Sequence, residues 1–483
     1  MSSAIEGLQP ARVWKYFAEF SRIPRCSKHE AAASRFVVDV ARQLGLSAKQ
    51  DPFGNVVVKK PATAGREQAP SVCLQGHLDM VCEKAPDKTH DFAKDPIALV
   101  RRDNALTADG TTLGADNGIA VATNLAIMEE QSLRHGPLEF LFTVDEETGL
   151  TGAHHLQPGC IDSRILLNLD SEEEGALYIG CAGGRDTIGT WRVEFVSAPT
   201  AYSPIEVIVS GLRGGHSGLE IDKGRGNALK LLARVVRAFG DTGGRLAWLE
   251  GGNKRNAIPR DARAIVYVPD IVKSAQLVDH WSGVFRAELA SVEPHLTVKA
   301  TRHAEADGRV LPLPLQTRLI QALSALPHGV VKMSADITEL VETSTNLAVV
   351  TMDRASVSVA TSQRSSVASE TDDIVSTVRT IFEMAGASVE QSDGYPGWKP
   401  DVHSPILKTA VATYKTLFGK EPAVKAVHAG LECGIIGEKF PGIDMVSFGP
   451  TLEGVHSPDE KIYVDTVPRF WELLIGILGS VSA

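Results

Sequence analysis

The stretch Leu141–Ala153, LFTVDEETGLTGA, carries an apolar run directly into three acids, Asp145, Glu146 and Glu147. The run is typical of a strand that is buried on both faces, and the acids stand where that strand should end. Adjacent carboxylates repel each other unless a cation or a shared proton lies between them. The stretch therefore indicates either a solvated loop or a cation site at the end of a central strand.

Length, composition and charge limit the class of protein. The chain has 483 residues, more than one ordinary core accommodates, which predicts two or more domains. Its net charge of -10 argues against binding to nucleic acid or to an anionic membrane surface. No apolar run reaches the roughly 18 residues that span a bilayer, and the N-terminal sequence lacks the pattern of a secretion signal. We therefore expect a cytoplasmic protein whose six cysteines are reduced thiols.

Short apolar runs alternate with helical patterns in the first part of the chain. Runs at 71–74, 138–144 and 164–169 predict buried strands, and a helical pattern covers about 117–131. Strands separated by helices predict an α/β fold with a mixed central sheet flanked by helices.

A different pattern occupies the middle of the chain. A strand, a helix and two strands are predicted over 187–268, and a similar order returns over 295–384. These stretches predict an inserted α+β domain with two similar halves. The α/β pattern then resumes, with predicted helices at 404–418 and 466–481 and a predicted strand at 443–448.

These patterns predict two domains. One domain would comprise residues 1–185 and 400–483, interrupted by a second domain at 186–399.

Ligand-type side chains stand at the ends of the predicted elements. His77 and Asp79 follow the first apolar run and face the same way on an extended segment. One of them could bind a cation while the other lies beside it. Asp116 stands at the start of the predicted helix, where it could equally be an ordinary helix N-cap.

Three more ligand-type residues, Glu147, Asp170 and His456, each follow a predicted strand. Each could be a solvated loop residue. Together with His77 and Asp116 they place two histidines and three carboxylates where open α/β sheets form their sites. Such a set suits a pair of divalent ions such as zinc, cobalt or manganese.

Several motifs resemble those of the aminoacyl-histidine dipeptidases, a branch of the di-zinc exopeptidases. They run in order from residue 76 to past residue 456: GHLDMV, LGADNGIA, DEETGLTGA, NLDSEEEG, GGHSG, KRNAIPR, YPGWKPD, HAGLECG and SFGPTLEGVHSPDE. The resemblance covers nearly the whole chain and implies a metal-dependent dipeptidase that holds two divalent ions, with zinc expected. It also implies that residues 1–185 and 400–483 form a catalytic domain and that 186–399 form a lid or dimerisation domain.

The resemblance implies a role for each ligand. Asp116 would bridge the two ions. His77 and Asp170 would complete one site, and Glu147 and His456 would complete the other.

Two further acids have implied roles at the same place. Asp79 would contact the second ring nitrogen of His77 and so hold that ring in its orientation. Glu146 would be the general base that takes a proton from a water activated by both ions. We assign Asp145 no role beyond shaping the turn, and we expect Thr148–Gly149 to permit that turn.

Three residues of the middle block are candidates for substrate binding. The resemblance implies that His216, in a Gly-rich loop, contributes to the oxyanion site; a structural histidine is the alternative. Asn256 and Arg364 are candidates for binding the substrate carboxylate, which suits the bidentate fork of an arginine. A surface arginine is the alternative for Arg364.

The expected activity is hydrolysis of Xaa-His and related dipeptides, including β-alanyl-histidine, with a small dipeptide as ligand. A deacylase of N-acyl amino acids would use the same metal core with another pocket. A non-catalytic binding protein is the third interpretation of the sequence. The presence of every proposed ligand together with Glu146 argues against it. The resemblance also suggests a homodimer.

Overall fold

The computed structural model describes residues 3–303 and 306–482, which divide into two compact units. The first unit comprises residues 3–180, 400–426 and 431–482. The second comprises Cys181–Lys399 and Val427–Gly430. The predicted domain boundaries, and the role of the middle block as a lid or dimerisation domain, stay predictions.

The helices and strands follow one another in three groups along the chain. Those before residue 182 are a short 3-10 helix Ser3–Ile5, the helices α1 Ala11–Phe20, α2 Ala31–Gln43, α3 Ala115–Glu129, α4 Glu146–Gly149 and α5 Thr151–His155, and the strands β1 Ser47–Gln50, β2 Val56–Lys60, β3 Val72–His77, β4 Leu99–Arg102, β5 Ala105–Ala108, β6 Leu138–Thr143, β7 Ile165–Asn168 and β8 Ala176–Cys181. Those of the middle block are the helices α6 Ala228–Asp241, α7 Ile271–Glu288, α8 Leu313–Ala325 and α9 Ala368–Met384, and the strands β9 Gly183–Arg192, β10 Val196–Ser197, β11 Ser203–Ser210, β12 Gly215–His216, β13 Arg245–Gly251, β14 Ala257–Ile258, β15 Ala262–Val268, β16 Thr297–Arg302, β17 Arg309–Val310, β18 Gly329–Met333, β19 Val341–Met352, β20 Ser356–Ser365 and β21 Ser388–Gln391. The last group contains the helices α10 Pro405–Phe418, α11 Glu432–Lys439 and α12 Thr466–Val481, and the strands β22 Ala423–Val427, β23 Asp444–Ser447, β24 Leu452–Glu453 and β25 Lys461–Tyr463. Across the described residues, no helix combines the length and apolar character that crossing a bilayer requires.

The first unit is built on an eight-stranded sheet in the order β1-β2-β6-β3-β7-β23-β8-β22. Strands β6, β3, β7 and β23 run parallel, whereas β2 is antiparallel to β6 and β8 is antiparallel to β23. Every residue of β3 and β6 is buried, as the continuous apolar runs predicted. The predicted α/β fold with a mixed central sheet is confirmed.

The parallel strands of this sheet end together at one edge. His77 is the last residue of β3 and pairs with Thr143, the last residue of β6. Gln75 of β3 pairs with Asn168, the last residue of β7. The segments that follow β3, β6 and β7 therefore leave the sheet side by side, where α/β proteins form their sites.

The second unit contains a nine-stranded sheet in the order β16-β11-β15-β13-β19-β20-β9-β21, with β18 also paired to β19. Burial alternates along β11, as expected where one face of a sheet packs against helices. Phe239 of α6, Leu319 of α8 and Phe382 of α9 belong to the resulting core. The other main strands and helices of this unit were predicted from the sequence, whereas β9 and α7 were not. The similarity of the two halves stays a prediction.

Strands β19 and β20 extend further than their apolar segments indicated. Both continue through polar segments whose side chains are mostly buried and hydrogen-bond to each other or to β9. The Thr343 and Ser365 hydroxyls are 2.9 Å apart, and Thr187 donates to Gln363 at 2.8 Å. These bonds satisfy polar groups that an apolar pattern does not reveal, and they place Arg364 on a buried strand.

One expectation about the cysteines is wrong. Cys26 and Cys82 form a disulfide, with 5.7 Å between their Cα atoms. A parallel bridge between Cys26 and Met80 brings the two segments alongside each other, within the spacing that a disulfide requires. The sequence separation of 56 residues concealed this proximity.

Phe140 tests the contribution of the central sheet to stability. Its side chain lies fully buried in β6. We expect Phe140→Ala to lower the free energy of unfolding of the first unit by about 3–5 kcal/mol, because it removes a buried ring and leaves a cavity. Urea denaturation measures the change. Phe53→Ala is the matched control, since Phe53 is 48% exposed; equal losses for the two variants would contradict the assigned core.

Candidate metal centre

The five predicted metal ligands lie together in the first unit. The ring nitrogen Nε2 of His77 is 3.1 Å from Asp116 Oδ1 and 3.4 Å from Asp170 Oδ1. Nε2 of His456 is 3.1 Å from Asp116 Oδ2 and 2.9 Å from Glu147 Oε2. The two carboxylate oxygens of Asp116 thus face different partners, one on each side.

This donor set fits two divalent cations. His77, Asp116 and Asp170 present ligand atoms within 4.8 Å of one another, and so do Asp116, Glu147 and His456. Asp116 belongs to both groups. Among the described residues the buried Oδ1 of Asp170 makes no hydrogen bond, and it lies 3.4 Å from His77 Nε2 as an ion pair. A buried carboxylate oxygen in this state is stabilised when a cation meets it. Imidazole and carboxylate ligands suit zinc and its neighbours in the first transition series.

The electrostatics of the cluster also indicate a need for positive charge. Burial lowers the pKa of His77, but Asp170, Asp116 and Asp79 outweigh it and raise that pKa well above its usual value. Hydrogen bonds to Asp116 and Glu147 raise the pKa of His456 to about 11. The carboxylates therefore hold positive charge strongly, in the form of protonated imidazoles or of bound cations.

Asp79 contacts the candidate ligand His77 and the backbone of the two neighbouring glutamates. Its Oδ1 lies 3.2 Å from His77 Nδ1 and accepts the backbone N–H of Glu146 at 3.0 Å. Its Oδ2 accepts the N–H of Glu147 at 3.2 Å and the hydroxyl of Ser27 at 2.8 Å. Asp79 is fully buried, so these contacts fix the ring of His77 and the start of α4 together.

Asp145 shapes the turn that presents the two glutamates. Its backbone is left-handed, with a φ of 50°, and its carboxylate accepts the hydroxyls of Thr148 and Thr151. The second left-handed residue is Leu150, with a φ of 54°. The expectation that Thr148–Gly149 permits the turn is therefore wrong: Gly149 has no positive φ, and the flanking residues carry the unusual geometry.

The ordinary explanation of Asp116 as a helix N-cap is also wrong. Its side chain contacts His77 and His456, while the backbone amides at the start of α3 donate to Glu460. Glu460 was not predicted as a site residue, although it lies four positions after His456 in the motif GVHSPDE.

A second missed acid, Glu432, lies within a buried polar row beneath the ligands. Its Oε2 accepts the side chains of Gln75 and Thr143, both at 2.6 Å. Gln75 in turn accepts from Asn168, which accepts from Ser447. The row crosses four adjacent parallel strands just before the ligands that follow them. Its signal in the sequence is polar residues near the carboxyl ends of otherwise apolar strands.

His216 and Asn256 line one cavity in the second unit, with a volume of about 1190 Å³. Nδ1 of His216 accepts the backbone N–H of Gly218 and of Leu219, both at 3.1 Å. The ring proton therefore lies on Nε2. Burial and the charge of Arg364 lower the pKa of His216 to about 4, so its ring is neutral at neutral pH.

Arg364 is buried on β20 and does not line that cavity. It donates to the hydroxyl of Tyr395 at 2.8 Å, and its buried Nε has no hydrogen-bond acceptor within the part of the chain that the structure describes. The alternative of a surface arginine is therefore wrong. An unsatisfied guanidinium N–H is a group that an anionic ligand could satisfy.

Comparison with known proteins places these features in a family. The chain is 40% identical to the cytosol non-specific dipeptidase of Escherichia coli strain K12, with all of both sequences aligned. It is 42% identical to the solved aminoacylhistidine dipeptidase of Vibrio alginolyticus, covering 99% of this chain and 98% of that one at a TM-score of 0.90. An aminopeptidase structure from Bacillus cereus shares the fold, with a TM-score of 0.57 and 17% identity.

The fold, the ligand cluster and these relatives together define a metallopeptidase. The profile of peptidase family M20/M25/M40 matches residues 73–479, and the chain belongs to that family. The resemblance drawn from the sequence motifs is thereby confirmed. The role of each site residue stays a prediction.

Asp116 provides the most direct test of the two-ion arrangement. We expect Asp116→Ala to lose both ions, because Asp116 is the one ligand that both groups share. Metal analysis of the purified full-length protein by inductively coupled plasma mass spectrometry measures the ion content per chain. Asp162→Ala, at an exposed aspartate bonded to Lys59, should keep the wild-type content. Retention of the full content by Asp116→Ala would contradict the shared-ligand assignment.

Proposed function

We propose that this protein is a cytosolic metal-dependent dipeptidase that cleaves Xaa-His and related dipeptides, including β-alanyl-histidine, with two zinc ions. The observation that carries the proposal is the sharing of Asp116 between two groups of ligands, with Glu146 beside them. Two relatives at 40% and 42% identity, each aligned over essentially the whole chain and each named as a dipeptidase, support the substrate class. A homodimer is part of the proposal by resemblance alone.

Glu146 is the proposed general base. Its carboxylate lies with His77 and Glu147 in one cluster, and its backbone N–H is held by Asp79. Burial raises the pKa of Glu146 well above its usual value, which suits a group that must accept a proton near neutral pH.

The proposed reaction is a hydrolysis assisted by the bound ions. When bound, the ions would lower the pKa of a water molecule and polarise the peptide carbonyl. Glu146 accepts the proton of the attacking water and returns it to the amine that leaves. Asp79 keeps His77 and the backbone of Glu146 in place while this proton moves.

Three residues of the second unit are proposed to bind the substrate. His216 presents a protonated Nε2, because its Nδ1 accepts two backbone amides, and can therefore donate a hydrogen bond to a developing oxyanion. Arg364 and Asn256 are proposed to bind the substrate carboxylate. The unsatisfied Nε of Arg364 supports its part of this assignment.

A substrate panel tests the function. We expect hydrolysis of Xaa-His dipeptides and carnosine, loss of activity with a chelator, and recovery with added Zn²⁺, because the proposed reaction needs both ions. N-acetyl amino acids serve as the comparison substrates, and release of free amino acid is the readout. Cleavage of N-acetyl compounds alone would identify a deacylase, and absence of hydrolysis with any divalent ion would favour a binding protein.

Glu146→Gln separates proton transfer from metal binding. We expect kcat to fall by about 10²–10⁴-fold while metal content stays at the wild-type level, since the amide cannot accept the proton. Glu147→Gln is the matched neighbour and should lose metal as well as activity. A Glu146→Gln enzyme that works at the wild-type rate would show that another group is the base.

A further inference from the structure

The carboxylate of Glu460 is buried and surrounded by backbone N–H groups. Its Oε2 accepts the amides of Leu113 and Gly114 at 2.8 and 2.9 Å. Its Oε1 accepts those of Ala115 and Asp116 at 2.8 and 3.3 Å. One side chain thus satisfies four consecutive backbone donors at the start of α3.

Those amides belong to the segment that presents Asp116. Gly114 has a left-handed φ of 68°, and Asp116 is extended, with φ -79° and ψ 111°, within the first turn of α3. The start of α3 is therefore irregular and needs acceptors from outside the helix. Glu460 provides them, which leaves the side chain of Asp116 free to face His77 and His456.

Glu460 also closes the loop that carries His456. Its backbone N–H donates to the carbonyl of Ser457 at 3.1 Å, and its own carbonyl accepts the hydroxyl of Thr107 at 2.8 Å. Ser457 further donates its hydroxyl to the carbonyl of Gly454 at 2.7 Å. The loop is thus bonded internally and anchored at Glu460, so the distance from Glu460 to His456 is fixed by a short constrained segment.

Arg25 donates hydrogen bonds to backbone carbonyl groups in and beside the same segment. It is buried and donates to the carbonyl of Gly114 at 2.7 Å and to that of Asp79 at 3.2 Å. A Cβ at position 114 would collide with the Arg25 guanidinium and with Met80. The start of α3 is therefore held by one acidic and one basic side chain, Glu460 and Arg25, and both bond to its backbone.

We propose that Glu460 is a positioning residue that fixes His456 against Asp116 and so sets the affinity of the site for the ion these two ligands share. This inference rests on the proposed function, because it assumes that the cluster binds cations. Glu460 contacts the backbone beside the ligands and none of the reacting atoms. Its effect should therefore appear in metal affinity and kcat, with KM for the dipeptide unchanged.

Glu139 offers a matched control for an ordinary buried acid. Its carboxylate is also buried in the first unit and accepts the backbone N–H groups of Asp162 and Ser163 at 2.9 and 2.8 Å. It lies near the amino end of β6, whereas the ligands follow the carboxyl ends of the strands. Glu139→Gln should lower stability without changing the metal centre.

The experiment compares Glu460→Gln, Glu139→Gln and wild type as full-length, metal-stripped proteins. Calorimetric titration with Zn²⁺ should show affinity about 10–100-fold weaker for Glu460→Gln and unchanged for Glu139→Gln. The visible spectrum of the Co²⁺-loaded protein should change for Glu460→Gln alone. Thermal unfolding of the metal-free proteins records the loss of stability in both variants.

Two results would overturn the inference alone: wild-type Zn²⁺ affinity in Glu460→Gln, or equal weakening in both variants. A wild-type protein that binds no Zn²⁺ would instead overturn the proposed function and this inference with it. If Glu460→Gln does not fold, Glu460→Asp replaces it. Its shorter side chain keeps the carboxylate but reaches fewer of the four backbone N–H groups, so an affinity between wild type and the expected Gln value supports the inference and wild-type affinity overturns it.

Discussion

Repulsion between carboxylates at one edge of the sheet is the constraint on which the first unit depends. Asp116, Glu147 and Asp170 converge on two imidazoles, with Glu146 beside them. Such a group is stable only if positive charge is supplied, by protons on His77 and His456 or by cations. The surrounding side chains hold the carboxylates together in spite of their mutual repulsion.

The support for this charge cluster is a second layer of buried polar groups. Asp79 links His77 to the start of α4, Glu460 links the loop of His456 to the start of α3, and Glu432 closes a polar row across the parallel strands. These bonds go largely to backbone amides or to strand-end side chains. A ligand set drawn from separate loops can therefore keep a defined geometry, because each loop is fixed through its own backbone.

Predictions from the sequence were accurate where residues adjacent in the chain determine the structure. Continuous apolar runs identified the parallel strands, and acids directly after such runs identified the edge where ligands should lie. Glu460 and Glu432 escaped notice because acids in a loop or at a helix start have many ordinary explanations. Their roles depend on which distant backbone amides or side chains reach them. Helix α7 was missed because its apolar and polar residues lack a strong helical period, and the Cys26–Cys82 disulfide because it joins distant segments.

The central claim is that two cations share Asp116 at the edge of the sheet. Anomalous diffraction at the zinc absorption edge, from crystals of the zinc-loaded protein, tests it most directly. The account predicts two peaks, one bounded by His77 and Asp170 and the other by Glu147 and His456, with Asp116 in contact with both. A single peak, or peaks away from Asp116, would contradict it.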